Sequence, residues 1–400
     1  MKKTMEVKPK IETFARIKVL GIGGGGTSAV NRMSELGIKG VEFIAINTDA
    51  QSLHHNQADR KIHIGKSITK GLGSGMNPEL GRQAAEESQE ELEDAISNAD
   101  MVFITTGLGG GTGTGAGPIV AELAKNRDIL TIAVVTKPFT FEGSKRREVA
   151  EAGYDNLKDK VDAIISIQND RILQIIDKKT SIMDAFKTVD DVLRQGIAGI
   201  SDLITTHGKI MNADFADVRT VMQNAGTALI GIGTASGENR AELAAKAAIN
   251  SPLLDMTIDG ARGVLFNITG GADLGMFEID EAAKVITKNV DSDATVKFGT
   301  VLDETMGDEV RITVIATGFD ENNRRPTPIS FSPVEDREFT PKPAPAPSVN
   351  PIFEDEEEPE VAVRRPLFKP KPVEPVQSMS DDNNTDDELD IPAFIRKKMK

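Results

Sequence analysis

Gly107-Leu108-Gly109-Gly110-Gly111-Thr112-Gly113-Thr114-Gly115-Ala116-Gly117 decides how this chain reads, with seven glycines in eleven positions. The run follows an apolar segment, Met101–Thr106, and precedes one opened by Pro118, a residue suited to a first helical turn. Glycine lets the backbone approach an anion with no Cβ in the way and adopt positive φ. Free N–H groups there and at the following helix start suit phosphate oxygens, and the helix dipole adds attraction. Thr112 and Thr114 offer hydroxyl donors. A flexible linker is the competing reading, but a linker lies in a polar tract rather than between a buried strand and a helix.

Working outward, a second glycine run lies upstream: Gly21-Ile22-Gly23-Gly24-Gly25-Gly26-Thr27-Ser28, after the apolar strand Ile17–Ile22. Gly21-x-Gly23-x-x-Gly26 matches the dinucleotide fingerprint, with Asp49 about 20 residues on as a ribose-binding acid. A nicotinamide reading and a plain tight strand-helix turn both remain open for this loop alone. It is not a P-loop, because it holds no lysine and the chain has no G-x-x-x-x-G-K-[ST]. A nicotinamide enzyme needs one phosphate cradle. Two cradles at one edge of a sheet suit a triphosphate clasped from both sides.

The surrounding pattern is α/β. Strands are expected at Ile17–Ile22, Val41–Asn47, Met101–Thr106, Ile129–Thr136 and Val161–Ile167. Helices are expected at Ser28–Leu36, Glu79–Ser97, Pro118–Asn126 and Glu148–Lys158. Strand-helix alternation implies a parallel sheet covered on both faces. Ser181–Thr206 reads as one long helix of roughly 35–40 Å, with Gly196 and Gly199 as possible breaks. Strands at Ala225–Gly233, Gly263–Thr269, Thr295–Leu302 and Val310–Thr317, with helices at Glu238–Asn250 and Asp280–Asn289, read as a second, smaller α/β unit.

Beyond Phe319 the composition changes. Fourteen of the 19 prolines fall between Pro326 and Pro392, among acidic blocks such as Glu354–Glu358. Such sequence cannot offset its ordering entropy, so residues 320–385 read as a disordered linker. Its end is an apolar island, Leu389-Asp390-Ile391-Pro392-Ala393-Phe394-Ile395-Arg396, followed by lysines. It reads either as a terminal scrap or as a peptide that orders on a partner.

Composition excludes several classes. A net charge of -15 argues against nucleic acid as the main partner. No stretch approaches a membrane span, and no signal-peptide core follows the basic N-terminus. The absence of cysteine fits a reducing cytoplasm, and the four histidines lack zinc-site spacing.

Gly109–Gly115 looks like the tubulin signature loop. Together with Asn47-Thr48-Asp49, Phe141-Glu142-Gly143, Asn212-Ala213-Asp214-Phe215-Ala216-Asp217 and Leu389–Arg396, it makes the chain resemble FtsZ, the bacterial tubulin-like division GTPase, from about Ile17 to Phe319. The resemblance implies a tubulin-like α/β fold with a parallel-sheet nucleotide-binding domain, a long central helix, a smaller α/β domain and a disordered tail. It divides the chain into an arm (1–15), a GTP-binding domain (16–180), the central helix (181–206), a GTPase-activating domain (207–319), the linker (320–385) and a partner-binding peptide (386–400).

The resemblance also implies site residues. Gly24, Gly25, Gly26, Thr27 and Ser28 with Gly111, Thr112 and Gly113 would hold the phosphates. Glu142 and Arg146 would hold the ribose, and Asn169, Phe186 and Asp190 the guanine. Each has a plainer alternative: Phe186 as helix core, Arg146 as part of a solvated Lys145-Arg146-Arg147 run. FtsZ proteins usually carry Asn where this chain has Thr27-Ser28; hydroxyls can replace an amide as donors, so altered contacts are expected there. Asn212, Asp214 and Asp217 are implied as catalytic, with Mg²⁺ accompanying GTP.

Asp214 and Asp217, three apart at a helix start, project on one face, where N-capping is the alternative to polarising an attacking water and assisting Mg²⁺. If the long helix crosses the domain, Asp214 lies tens of ångströms from its own phosphates. It would then serve a neighbouring subunit through a heterologous, filament-forming contact. The terminal residues Leu389, Asp390, Ile391, Pro392, Phe394, Ile395 and Arg396 resemble the segment that docks on membrane-anchoring and regulatory division proteins, at a midcell ring in the cytoplasm. A nucleotide-dependent oxidoreductase and a filament protein with negligible hydrolysis are the competing readings.

Overall fold

The structure is a computed structural model that describes residues 15–319 apart from residues 39, 178, 206–213 and 255. Asn212, the linker and the terminal peptide lie outside the described residues.

The first half alternates strand and helix: β1 Ile17–Ile22, α1 Gly23–Glu35, β2 Val41–Asn47, α2 Ala50–His54, β3 Arg60–His63, α3 Lys66–Thr69, α4 Pro78–Glu87, α5 Gln89–Ile96, β4 Met101–Gly107, α6 Thr112–Lys125, β5 Leu130–Lys137, α7 Ser144–Lys158, β6 Ala163–Gln168 and α8 Asn169–Ile172. The long helix α9 is Ile182–Thr205, and α10 is Phe215–Met222. The second half is β7 Gly226–Ser236, α11 Arg240–Ile249, β8 Gly263–Gly270, α12 Met276–Thr287, β9 Thr295–Leu302 and β10 Glu309–Thr317.

All ten strands form one sheet in the order β3-β2-β1-β4-β5-β6-β7-β10-β8-β9. From β3 to β6 every pairing is parallel. Successive residues point to opposite faces, so each strand feeds two cores. Val19, Phe43, Phe103 and Val134 pack on the face covered by α1, α9 and α10. Leu20, Ile44, Ile104 and Val135 pack on the face covered by α4 to α7. This is the expected parallel sheet buried on both sides. Beyond β6 the sheet continues through β7, which pairs parallel to β6 over only Ala163↔Gly226, Ile164↔Thr227 and Ile165↔Ala228. Strand β10 is antiparallel to both its neighbours. A third core, with Val264, Phe266, Ile312 and Val314, lies under α11 and α12.

Several boundaries differ from expectation. The helix expected at Glu79–Ser97 is two helices, because Ser88 leaves helical geometry at φ -107°, ψ 24° and its Oγ accepts the Gly65 N–H at 3.2 Å. Pro118 does not open α6 but lies inside it, since the glycine run itself winds into helix from Thr112. Likewise α1 begins at Gly23, five residues before the expected start. Helix α9 runs unbroken through Gly196 and Gly199. A Cβ on Gly199 would meet Thr313 Cγ2 at 2.7 Å, so glycine is what lets the helix lie close against the sheet.

Candidate functional site

The strand order reverses between β1 and β4. From β1 the chain moves outward to β2 and β3, and from β4 it moves the other way to β5 and β6. A crevice opens at the carboxyl ends of two such diverging strands. Both glycine runs sit there, one after β1 and one after β4.

The two runs touch through bare backbone. A Cβ on Gly23, which has φ +72°, would meet Gly113 N at 2.7 Å. One on Gly25 would meet Gly107 Cα at 3.3 Å, and one on Gly113 would collide with Thr106 Oγ1. Gly24, by contrast, is exposed with nothing within 4 Å of its Cβ position. Space for a ligand therefore lies above Gly24, flanked by the opening turns of α1 and α6. Their first N–H groups lack intrahelical acceptors.

The hydroxyls of these loops are turned inward. Thr27 is 1% exposed and its Oγ1 donates to Gly23 O at 2.9 Å and Gly24 O at 3.1 Å. Thr112 Oγ1 shares hydrogen bonds with Thr48 Oγ1 at 2.6 Å and Ser74 Oγ at 2.9 Å. Thr114 Oγ1 accepts the Gly109 N–H at 3.0 Å. The hydroxyl donors expected from Thr27, Thr112 and Thr114 thus brace the loops, while Ser28 is exposed. What the crevice offers an anion is backbone N–H.

A third glycine loop, Gly71-Leu72-Gly73-Ser74-Gly75, completes the rim and was not singled out from the sequence. Its glycines have φ of +79°, +82° and +57°, and Ser74 ties it to Thr112. The signal was its alternating Gly-x-Gly-x-Gly spacing, which reads as an ordinary turn without its neighbours. Asp49, the ribose acid of the nicotinamide reading, caps α2 by accepting the N–H groups of Gln51 at 2.9 Å and Ser52 at 3.3 Å. Its carboxylate is engaged in holding the chain.

Along the same edge, after β5, Glu142 Oε1 accepts the Phe139 N–H at 2.8 Å, and Oε2 lies 2.9 Å from Arg146 Nη1. Arg146 is therefore not merely one of a solvated run. Phe139 stacks on Phe141 and meets Phe186 of α9 edge-on, with centroids 4.9 and 5.5 Å apart. Phe186 is 41% exposed, so it borders the core rather than filling it. Asn169 follows β6 and is buried, yet its Oδ1 has no hydrogen-bond partner. A buried acceptor without a partner costs about 1–3 kcal/mol, which a ligand donor would recover. Asp190, half-buried on α9, has its carboxyl pushed up to about 6 by burial, with the Arg32 guanidinium opposing.

Comparison with known proteins agrees with this geometry. A model of the Tubulin/FtsZ family GTPase domain matches residues 16–177, and one of the FtsZ family C-terminal domain matches residues 226–320. An FtsZ dimer from M. jannaschii is 46% identical, covering 76% of this chain and 89% of that one, with a TM-score of 0.74. The chain belongs to the FtsZ family.

Its fold is accordingly the tubulin-like α/β fold, and its glycine crevice lies in a GTPase domain. Two proteins of Haloferax volcanii share the fold at 21% identity. They are CetZ2, solved as a GTPγS-bound protofilament, and CetZ1, solved as a GDP-bound monomer. Their TM-scores are 0.65 and 0.66, over 76% of this chain and 94% and 95% of theirs.

In this FtsZ-family chain Asp214 and Asp217 stand apart from the crevice. Helix α9 starts beside Phe139 at the carboxyl edge and ends with Thr205 against Gly40, just before β2, at the opposite edge. Helix α10 is fastened there: Arg219 Nη2 lies 2.8 Å from Asp128 Oδ2, ahead of β5, and Asp162 Oδ1 accepts the Asn224 N–H at 3.3 Å, ahead of β6. Helix α9, whose 24 residues span ~36 Å, runs between these two edges. Asp214 is exposed, and Asp217 is half-buried with the Lys297 ammonium holding its carboxyl below the usual range. The described residues contain no group of three or more His, Cys, Asp or Glu side chains able to hold a metal ion. Nor does any described helix have the length and apolarity to cross a membrane.

Proposed function

We propose that this chain binds GTP in the crevice and hydrolyses it only within a head-to-tail filament, where the neighbouring subunit supplies Asp214 and Asp217. One observation carries the reading: crevice and carboxylate pair lie at opposite edges of the same sheet. A pair that cannot reach its own nucleotide can reach the next one. Repeating that contact is heterologous and open, which builds a filament rather than a closed ring. The M. jannaschii FtsZ solved as a dimer supports self-association by analogy.

In this reading the backbone of Gly24–Ser28 and Gly111–Gly113 holds the phosphates, with Gly71–Gly75 closing the rim. Glu142 and Arg146 hold the ribose. Phe186 stacks on the base, Asp190 accepts from guanine N1–H and the 2-amino group, and Asn169 makes a further contact. Mg²⁺ accompanying the nucleotide would supply charge neutralisation. Asp214 and Asp217, with Asn212, orient and polarise the attacking water. Filaments would form the cytokinetic ring at midcell, and Leu389–Arg396 would recruit membrane-anchoring and regulatory division proteins.

Asp214→Ala tests the division of labour. It should bind GTP as the unaltered chain does and release phosphate at least about 100-fold more slowly. Loss of GTP binding in this variant would refute the reading.

A further inference from the structure

Asp217 is already held in its own molecule. Its Oδ1 lies 2.7 Å from Lys297 Nζ, and its Oδ2 accepts the Asp214 N–H at 3.4 Å. Lys297 is the third residue of β9, the outermost strand of the sheet, and α10 packs against that strand. The ion pair thus crosses from the edge of the C-terminal half to the helix whose N-cap is Asp214. The two side chains are 39% and 34% exposed. Pairs this open contribute little to stability, so the fold does not explain the placement. A neighbouring subunit covering this edge would lower the local dielectric and strengthen the pair.

We propose that Lys297 is a positioning residue for the carboxylates that act on the neighbour's nucleotide. It fixes Asp217, and Asp217 fixes the backbone of Asp214 through the 3.4 Å bond. The first turn of α10 is then ordered before assembly. The two carboxylates are then presented together, Asp217 clamped by Lys297 and Asp214 exposed beside it. This role rests on the interface reading above.

Lys297→Met keeps the apolar stem and removes the charge, whereas Lys297→Arg keeps the charge. The full chain with each change would be assayed for GTP affinity, for assembly threshold by sedimentation, and for phosphate release per polymerised subunit. For Lys297→Met we expect unchanged affinity and threshold with turnover about five-fold lower, and for Lys297→Arg turnover within about two-fold of the original. Full turnover in Lys297→Met overturns the proposal. So does a loss that Lys297→Arg fails to restore, or one that follows lost polymer. Asp214→Ala, run in parallel, separates the two readings. If it retains turnover, the interface reading itself fails; if it alone loses turnover, only the role of Lys297 fails.

Discussion

At the scale of residues, Asp190 combines a cost with a use. Its folded pKa of about 6 lies above the ~3.9 of an unfolded chain. The protonated form therefore favours the fold; that contribution is complete below ~3.9 and is lost as pH rises through about 6. At pH 7.5 the ionised carboxylate is a burden on the nucleotide-free protein. In the proposed reading, however, guanine is recognised by that ionised form as an acceptor. GTP affinity should thus fall as pH drops through about 6. Asp190→Asn should raise the nucleotide-free Tm at pH 7.5 by roughly 2–4 °C while weakening GTP binding about ten-fold. Thermal melts with and without GTP check both. Glycines divide in the same manner. Gly24 has empty space at its Cβ position, whereas Gly26 would drive a Cβ into Thr105 O. Gly24→Ala should melt normally and lose nucleotide affinity. Gly26→Ala should lose about 1–3 kcal/mol of stability in urea titrations.

At the scale of elements, α9 sets two glycines against different neighbours. Alanine in a helix gains about 1 kcal/mol over glycine. A Cβ on Gly196 would meet the end of the Ile230 side chain at 3.1 Å, which can shift. One on Gly199 would meet a Thr313 methyl at 2.7 Å, on a stiff β-branched side chain. Gly196→Ala should therefore leave stability unchanged or slightly raised, and Gly199→Ala should lower it by about 1–2 kcal/mol. Chemical unfolding of both variants decides. Strands β1, β2, β4, β5 and β6 were legible because they are apolar runs buried on two faces, whereas the short, charged and half-exposed β3, Arg60–His63, was not expected. Long helices were legible from their period. Helix starts were not. Gly23 and Thr112 begin helices where propensity opposes them, because only glycine fits where Gly23 meets Gly113 and where Gly115 meets Pro78. That is tertiary contact overriding local preference, and no window of sequence contains it. The site was legible to the same degree. Two phosphate loops could be read from glycine spacing, but the third, Gly71–Gly75, acquires meaning only beside Thr112. Asn169 opens α8 whereas Phe186 and Asp190 stand on α9, far from it in sequence, and all three came from resemblance alone.

At the scale of the whole molecule, the proposed completion of the site by a neighbour would tie chemistry to concentration. Phosphate release per subunit should be near background below the assembly threshold and rise at least about ten-fold above it. Parallel sedimentation and phosphate assays over a dilution series would measure this, and a rate per subunit independent of concentration would count against it. The sheet itself has a further consequence. Three residue pairs join β6 to β7, whereas eight join β7 to β10. Stiffness in a sheet follows the length of its ladders, so this one is weakest where its two halves meet. Tension or bending applied along a string of such subunits would concentrate at the Ala163–Gly226 seam. Helix α9 packs against β5 on one side of this seam and against β8, β9 and β10 on the other. The molecule is built less like a brick than like a leaf spring whose thinnest ladder lies where its halves meet.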